Sequence, residues 1–415
     1  MTTTVKFLNG LRTIGGNIVE ICTENARVIT DFGLVANTSI ADPDEMLAKH
    51  ILPDIPELFG KKAHRKYQAE AIFITHLHLD HTAALAYLRS DIPVYVSRQT
   101  YHLYRSLAAQ GMALALNINF QVFDYEEPVR VGDLTVTGYQ SDHDVYGAAA
   151  LLISDGRHFF GNSGDVRLNG PHRSHVDHWM HIFRQLKLDL FMLEGTSFTT
   201  NPVEQGVTNT GEQCCLEKFK TALRNSSELI VISLYLRNIE RLFELNQAAL
   251  VMQRPIVWEA AYAEVLRDFY SDIPIYVLAD KKGGGRIAEG LIPVTPTVVN
   301  HNKRYFCVQN SFERLQFLAR FSNFTYLHCN SDPLGIYDPH YHTLTAFLTH
   351  HQAALLDIGV SGHATQQEIC KIAQVVHAKQ TAMWHSFHPE RAVEALKQTE
   401  LNPLLPEYSK EYRFE

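Results

Sequence analysis

The sequence FITHLHLDHTAA, at residues 73–84, places His76, His78, Asp80 and His81 within six positions. The apolar run before these residues predicts a strand, and the period of two along a strand puts His76, His78 and Asp80 on one side where the strand ends. His81 follows at the turn into a predicted helix. Imidazole and carboxylate side chains without a thiolate are typical ligands of zinc or manganese. The stretch therefore predicts a metal site at a strand end.

The bulk composition is that of an ordinary globular protein. The 415 residues are 46% hydrophobic and 20% charged, which favours two or three domains with sizeable cores. The formal net charge of −8 does not predict a protein that coats nucleic acid by bulk attraction. It still permits a nucleic-acid substrate, because two divalent cations would offset half of that charge.

Neither export nor membrane insertion is indicated. The N-terminal MTTTVKFLNG lacks a basic region followed by an apolar run, and no stretch approaches about 18 uninterrupted apolar residues. None of the six cysteines forms a C-x-x-C pair, which argues against a disulfide framework, a zinc ribbon or a redox motif. We therefore expect a cytoplasmic protein without a membrane partner.

The predicted secondary structure differs between the first part of the chain and the part that begins near residue 205. Short runs rich in β-branched residues, such as AEAIFITH at residues 69–76, predict a sheet-rich first part with helices between the later strands. From about residue 205, apolar strands such as ELIVISLYL at residues 228–236 alternate with helices, as in a parallel α/β domain. The simplest division is a sheet-rich domain (1–204), an inserted α/β domain (205–344) and a C-terminal completion of the first domain (345–415).

The spacing H-x-H-x-D-H at a strand end resembles the metallo-β-lactamase superfamily. Members of that superfamily contribute further site residues from the ends of other strands, and each of these has a match here. Asp31 in VITDFG matches an aspartate that supports the ligand loop without binding metal. His143 in GYQSDHDVYGA matches a third histidine, and Asp165 in FFGNSGDVRLNG matches an aspartate that bridges two metals.

Residues further along the chain resemble the β-CASP nucleases of this superfamily, the group that includes ribonuclease J. LDLFMLEGTSF places Glu194 after an apolar strand, VSGHATQQE places His363 within S-G-H-A, and AMWHSFHPE places His385 at a final strand end. The resemblance covers nearly the whole chain, with residues 205–344 as the β-CASP insert. His388 is a rival to His385, because the chain reads WHSFHPE where ribonuclease J typically has H-G-E.

The resemblance implies a site for two divalent ions, zinc or manganese, bridged by one aspartate and a water. The first ion would be bound by His76, His78, His143 and Asp165. The second ion would be bound by Asp80, His81, Asp165 and His385. Glu194 and His363 would form a hydrogen-bonded pair beside the scissile phosphate, where a histidine held by a carboxylate can supply a proton. The predicted catalytic residues are Asp80, Glu194 and His363.

The fold implied by the resemblance is a metallo-β-lactamase αββα sandwich with an inserted β-CASP α/β domain. The implied activity is that of a ribonuclease, in which a hydroxide bridging two metal ions cleaves single-stranded RNA. Internal cleavage and 5′-exonuclease action are both left open, and a homodimer is one expected assembly. The alternatives are a small-molecule hydrolase of the lactonase or thioesterase type and a non-catalytic RNA-binding protein. The first would not need the insert, and the second would not need an intact ligand set.

Three basic residues are further candidates for contact with substrate phosphate. Arg237 and Arg241, in YLRNIER, lie where a predicted strand meets a helix N-terminus, which is a natural place for phosphate to bind. An ordinary surface role is left open for both arginines. His172 follows the Asp165 loop closely enough in sequence to line the cleft.

Overall fold

The chain folds into two compact units. A computed structural model describes residues 2–35, 38, 42–59, 65–114, 116–198, 211–279, 288–336 and 338–415. The first unit comprises Met1–Gly206 and Gly362–Glu415, and the second comprises Val207–Ser361. The second unit therefore interrupts the first in sequence.

The strands of the described residues carry labels in chain order. They are β1 (Thr3–Asn9), β2 (Ile18–Cys22), β3 (Ala26–Thr30), β4 (Ala69–Phe73), β5 (Pro93–Ser97), β6 (Asn119–Phe123), β7 (Val129–Val131), β8 (Leu134–Gln140), β9 (Ala149–Ser154), β10 (Phe159–Asn162), β11 (Leu190–Glu194), β12 (Leu229–Leu234), β13 (Ile256–Trp258), β14 (Ile275–Leu278), β15 (Leu291–Val294), β16 (Cys307–Gln309), β17 (Phe324–Cys329), β18 (Ala354–Asp357), β19 (Thr381–Trp384), β20 (Pro403–Leu404) and β21 (Tyr412–Phe414).

The helices are labelled in the same way. They are α1 (Pro43–Ala48), α2 (Pro56–Phe59), α3 (Leu79–Thr82), α4 (Arg98–Ala109), α5 (Arg173–Leu186), α6 (Glu212–Asn225), α7 (Ile239–Val251), α8 (Ala260–Phe269), α9 (Pro296–His301), α10 (Tyr341–His350), α11 (Gln366–Val376) and α12 (Pro389–Lys397). Short 3-10 helices occur at Ala83–Tyr87, Lys303–Tyr305 and Phe312–Arg320. Every described helix is too short or too polar to cross a lipid bilayer.

The first unit contains two seven-stranded sheets. The strand order is β21-β1-β2-β3-β4-β5-β6 in sheet 1 and β20-β19-β11-β10-β9-β8-β7 in sheet 2. Each sheet is antiparallel in one part and parallel in the other. Strands β3 to β6 run parallel in sheet 1, and β10, β11, β19 and β20 run parallel in sheet 2. The carboxyl ends of the parallel strands therefore share one edge of each sheet.

Three hydrophobic clusters of the first unit define four layers. In the cluster between the sheets, Phe7 and Phe73 of sheet 1 pack with Phe160 and Trp384 of sheet 2. A second cluster joins the outer face of sheet 1 to α1 and α2. A third joins the outer face of sheet 2 to α5, α11 and α12. The order helix, sheet, sheet, helix confirms the predicted αββα sandwich.

The second unit is built around one parallel sheet. Its strand order is β15-β14-β13-β16-β12-β17-β18, and each neighbouring pair runs parallel. Every residue of β12 is buried, which explains its continuous apolar sequence, since a strand covered on both faces needs no polar side. The unit has its own core, which includes Val231, Val308 and Tyr326. The α/β character expected for the insert is therefore present.

The second unit extends further along the chain than we expected. We expected the first domain to resume at residue 345, whereas the second unit continues to Ser361. The reason is strand pairing: Leu356 of β18 pairs in register with Leu327 of β17, so β18 completes the sheet of the second unit. The other expected boundary, between residues 204 and 205, lies outside the described residues.

Candidate metal centre

The candidate site is assembled at the carboxyl ends of parallel strands in the first unit. In sheet 1, β3 and β4 are neighbours, so Asp31 and residues 76–81 leave the sheet at adjacent positions. In sheet 2, β10, β11 and β19 are neighbours, and they lead to Asp165, Glu194 and His385. Residues far apart in sequence meet because these strands run in the same direction.

Four side chains converge in what we name the first donor group. It consists of His76, His78, His143 and Asp165. Nδ1 of His78 lies 3.1 Å from Nε2 of His76 and 3.1 Å from Nε2 of His143. Oδ2 of Asp165 lies 3.6 Å from Nε2 of His76. Ligands that each lie about 2.0–2.2 Å from one ion are separated by about 3–3.6 Å, so these distances fit a bound cation.

A second donor group lies beside the first. It consists of Asp80, His81, Asp165 and His385. Nε2 of His81 lies 3.2 Å from Nε2 of His385 and 3.6 Å from Oδ2 of Asp80. Nε2 of His385 lies 3.3 Å from Oδ2 of Asp80. The structure thus brings together all seven predicted ligands, in the two sets that the sequence suggested.

Asp165 belongs to both donor groups. Its carboxylate is buried, and neither oxygen accepts a hydrogen bond of good geometry from a described residue. Nε2 of His81 and Nε2 of His385 each lie 3.3 Å from one of its oxygens. A buried carboxylate without hydrogen bonds is unfavourable unless positive charge compensates it. Histidine and carboxylate donors without thiolate suit zinc or manganese, so the residues fit two divalent ions.

The protonation states of His76 and His78 suit cation binding. Burial, together with the neighbouring His81, holds the pKa of His76 well below its usual range. Burial lowers the pKa of His78 to about 4. Both rings are therefore neutral near pH 7, as a ligand that offers a lone pair must be. Burial also acts to lower the pKa of His81, but the nearby carboxylates, Asp165 first, raise it well above its usual range, so positive charge is favoured there.

Asp31 contacts the ligand loop from outside the donor groups. Its carboxylate accepts hydrogen bonds from the backbone N–H of Thr75 at 2.8 Å and from the Thr75 hydroxyl at 2.9 Å. Its Oδ2 lies 2.9 Å from Nδ1 of His81. Such a contact orients an imidazole so that its other nitrogen faces the metal. This is the arrangement that the predicted supporting role of Asp31 requires.

Glu194 and His363 lie side by side. Nδ1 of His363 is 3.1 Å from both carboxylate oxygens of Glu194. Glu194 also accepts a hydrogen bond from the backbone N–H of Val166 at 2.8 Å. Burial by itself would lower the pKa of His363, but the Glu194 carboxylate raises it to about 10. Nε2 of this charged ring lies 4.0 Å from Oδ2 of Asp165.

His385, and not its rival His388, lies in the second donor group. His385 directly follows β19 with a left-handed φ of 50°, and its backbone N–H donates to the carbonyl of Gly10 at 3.1 Å. His388 precedes α12, and its Nδ1 is 2.9 Å from a carboxylate oxygen of Glu390. Among the described residues, His388 belongs to none of the clusters that could hold a metal ion.

Comparison with known proteins identifies relatives of the chain. Residues 52–217 match a family model described as the β-lactamase superfamily domain. Ribonuclease J of Helicobacter pylori (strain ATCC 700392 / 26695) is 25% identical over 262 residues, which are 60% of this chain and 35% of that protein. An RNase J-like protein of Methanocaldococcus jannaschii is 21% identical over 242 residues, which are 55% of this chain and 50% of that protein. A crystal structure of a protein of unknown function from Enterococcus faecalis V583 aligns over 100% of both chains, with a TM-score of 0.86 and 25% identity.

Residues 52–217 are therefore similar to the β-lactamase superfamily domain. The αββα sandwich and the donor groups at its strand ends agree with the matched family model. The similarity to ribonuclease J agrees with the resemblance to the β-CASP branch of that superfamily. The chain spans only about a third of the length of the first curated relatives it matches.

His172 and Arg237 remain predicted contacts of substrate phosphate. His172 precedes α5; its ring stacks on His175 with centroids 5.2 Å apart, and its backbone N–H donates to Asp142 at 2.7 Å. Arg237 follows β12 in the second unit and is half-buried. Its guanidinium carbon lies 5.7 Å from the ring centre of Tyr235.

Arg241, the third candidate, is corrected by the structure. Its side chain is buried within the second unit, where two guanidinium nitrogens donate to the two carboxylate oxygens of Glu212 at 2.8 Å. A third nitrogen donates to Oδ1 of Asn330 at 3.0 Å. The guanidinium is therefore occupied by contacts inside the unit, and we no longer assign Arg241 to substrate phosphate.

Two residues that were not predicted from the sequence, Asp144 and Gly362, lie beside the first donor group. Oδ1 of Asp144 lies 3.3 Å from Nε2 of His143 and 3.6 Å from Nε2 of His78. The backbone carbonyl of Gly362 accepts a hydrogen bond from Nδ1 of His143 at 2.6 Å. The position of Asp144 directly after His143 was the available signal. Nothing in the sequence marks the Gly362 carbonyl.

Proposed function

We propose that this protein is a metal-dependent ribonuclease that cleaves single-stranded RNA and uses two divalent ions, zinc or manganese. The observation that carries the proposal is the sharing of Asp165 by two donor groups. Paired metal sites of this kind serve in-line displacement at phosphorus. When bound, the ions supply an activated hydroxide and positive charge for phosphodiester hydrolysis.

His363 is suited to give a proton to the leaving oxygen. Its Nδ1 is engaged by Glu194, so Nε2 is the nitrogen from which a proton can move. The side chain of His363 is 23% exposed and that of Glu194 is 2% exposed, so the imidazole can meet a substrate while the carboxylate stays buried. A charged histidine held in this way also offsets negative charge that develops in the transition state.

RNA is proposed as the substrate because relatives of the chain are named ribonuclease J. A single strand is proposed because unpaired bases can turn outward and stack on side chains next to the bond that is cut. Zinc and manganese are proposed from the donor chemistry alone. The homodimer and the cytoplasmic location stay predictions.

The test offers metal-loaded protein three single-stranded RNAs, beside matched DNA. The RNAs carry a 5′ monophosphate, carry a 5′ triphosphate, or are circular. Asp80→Ala and Asp165→Ala each remove a predicted ligand, and Asp177→Asn, on the exposed side of α5, is the control. We expect the wild type and the control to cut RNA, and each ligand variant to lose about 100-fold or more in rate. Cleavage of the circle would establish internal cutting.

The other outcomes of this test decide between the alternatives. If RNA stays intact while a lactone or a thioester is hydrolysed, the protein is a small-molecule hydrolase. If the protein binds RNA without cutting it, the protein is a non-catalytic RNA-binding protein. If Asp80→Ala and Asp165→Ala cut RNA as fast as the wild type, the two-metal proposal is wrong.

A further inference from the structure

Three imidazoles of the donor groups, those of His76, His81 and His143, each have a partner at Nδ1, the ring nitrogen that faces away from the other donors. Nδ1 of His76 lies 3.0 Å from the hydroxyl of Thr75, and Nδ1 of His81 lies 2.9 Å from Asp31. Nδ1 of His143 is paired with a backbone carbonyl. In metal sites such partners fix the tautomer and the orientation of the ligand.

In His78 the two ring nitrogens have exchanged roles: Nδ1 faces the other donors, and Nε2 faces away from them. Its Nδ1 faces His76 and His143, so its Nε2 points away from the first donor group. This outward Nε2 lies 3.6 Å from Oδ1 of Asp144. The same oxygen lies 3.3 Å from Nε2 of His143. One carboxylate, 12% exposed, is therefore beside two of the three imidazoles of the group.

The Asp144 carboxylate lies against Gly362, where there is room for it only because glycine has no side chain. A Cβ at residue 362 would lie 2.5–2.8 Å from the carboxylate atoms of Asp144. The carbonyl of Gly362 accepts the hydrogen bond from His143. The backbone of this S-G-H-A segment thus positions both His143 and Asp144.

We propose that Asp144 is a positioning residue of the first donor group. It holds His78 in the tautomer that directs the Nδ1 lone pair toward the other donors, and its negative charge strengthens cation binding there. This inference rests on the two-metal site of the proposed function. The effect should be confined to one of two ions, because the second donor group has its own carboxylate, Asp80.

The test measures metal affinity directly. Metal-free wild type, Asp144→Asn and the control Asp177→Asn are each titrated with Zn²⁺ in competition with a chromophoric chelator. Asp144→Asn keeps the size of the side chain and removes its charge. We expect Asp144→Asn to bind one ion about 10–100-fold more weakly and the other as the wild type does. Asp177→Asn should bind both ions like the wild type.

A second readout follows the tautomer of His78. ¹⁵N NMR of the metal-free protein should show a larger fraction of the Nε2-protonated ring in the wild type than in Asp144→Asn. If Asp144→Asn does not fold, as judged by circular dichroism, Asp144→Ser takes its place in both measurements. Wild-type affinity for both ions in the variant would overturn the inference.

The two proposals can fail separately. A wild type that binds two ions without cutting RNA would overturn the ribonuclease proposal, and an affinity loss in Asp144→Asn would still support the role of Asp144. RNA cleavage by the wild type, together with unchanged zinc binding in Asp144→Asn, would overturn the inference alone.

Discussion

The charge on His363 depends mainly on the Glu194 carboxylate, with smaller contributions from Asp165 and Asp144. Burial disfavours a charged imidazole, yet the pKa of His363 is raised to about 10 because the carboxylate lies 3.1 Å from Nδ1. A raised pKa means that the ring is protonated below about pH 10 and that the stabilisation by the pair is lost as the pH rises through that value. The proton is thus available at Nε2 throughout the physiological range.

Glu194→Gln should lower the pKa of His363 in the metal-free protein. Removal of the negative charge takes away the largest influence that raises this pKa, while burial continues to lower it, so the ring should titrate at a clearly lower pH than in the wild type. NMR titration of the histidine rings measures this change. Glu390→Gln, which alters a carboxylate beside His388, is the control and should leave His363 unchanged. An unaltered titration of His363 in Glu194→Gln would show that another group holds the proton.

Single residues differed in how well the sequence predicted them. The spacing around His76 by itself predicted a metal site at a strand end, and the family resemblance added Asp165 and His385. The structure places these residues beside His76 because the ends of parallel strands share one edge of a sheet. Asp144 was missed because its approach to His78 depends on a loop conformation that spacing does not encode. Arg241 was misjudged because its position after a strand does not reveal that the guanidinium turns inward.

At the scale of elements, the buried pair of Arg241 and Glu212 joins α7 to the first turn of α6. The side chains are 2% and 11% exposed, so the charge on each is compensated mainly by the other. Removal of one partner leaves an uncompensated buried charge, which is far more destabilising than the loss of a surface pair. The pair is therefore predicted to hold the second unit together.

Glu212→Ala should destabilise the protein by about 3–5 kcal/mol. Urea unfolding measures this loss. The control, Glu217→Ala, lies in the same helix and removes a surface ion pair with Lys220, so it should destabilise the protein far less than Glu212→Ala. Equal stability of the two variants would show that the buried pair is not a major contributor.

Most strands of the second unit could be predicted from the sequence, but the boundary between the two units could not. The strands of the second unit were predictable from apolar runs that alternate with helices. The unit boundary was misplaced because ALLD at residues 354–357 has the length and composition of a strand in either unit. Only its pairing with β17 assigns it to the second unit, and pairing is a long-range property.

At the scale of the whole molecule, the predicted metal ligands all lie in the first unit, while the second unit has its own sheet and core. A ligand that binds only the folded state raises the free energy of unfolding of the unit that binds it. The gain is about 2.7 kcal/mol at a ligand concentration 100 times the dissociation constant. The stabilisation by metal should therefore be concentrated in the first unit.

Zinc should slow amide hydrogen exchange mainly in the first unit. Peptides that cover β4, β10 and β19 should gain protection, and peptides that cover β12 and β17 should change much less. Hydrogen exchange with mass spectrometry, with and without zinc, measures this difference. Asp165→Ala, which removes the shared carboxylate, should abolish the gain. Equal protection of both units would contradict the assignment of the ions to the first unit.

The second donor group has a consequence for the order of events during synthesis. His81 and His385 are 304 residues apart, so a ribosome that makes about 5–20 residues per second takes roughly 15–60 s between them. Once Asp165 has been made, and until His385 is added, a nascent chain has every residue of the first donor group but lacks one of the second. A protein that cleaves RNA with both groups would thus be inactive toward its own messenger until His385 has been synthesised.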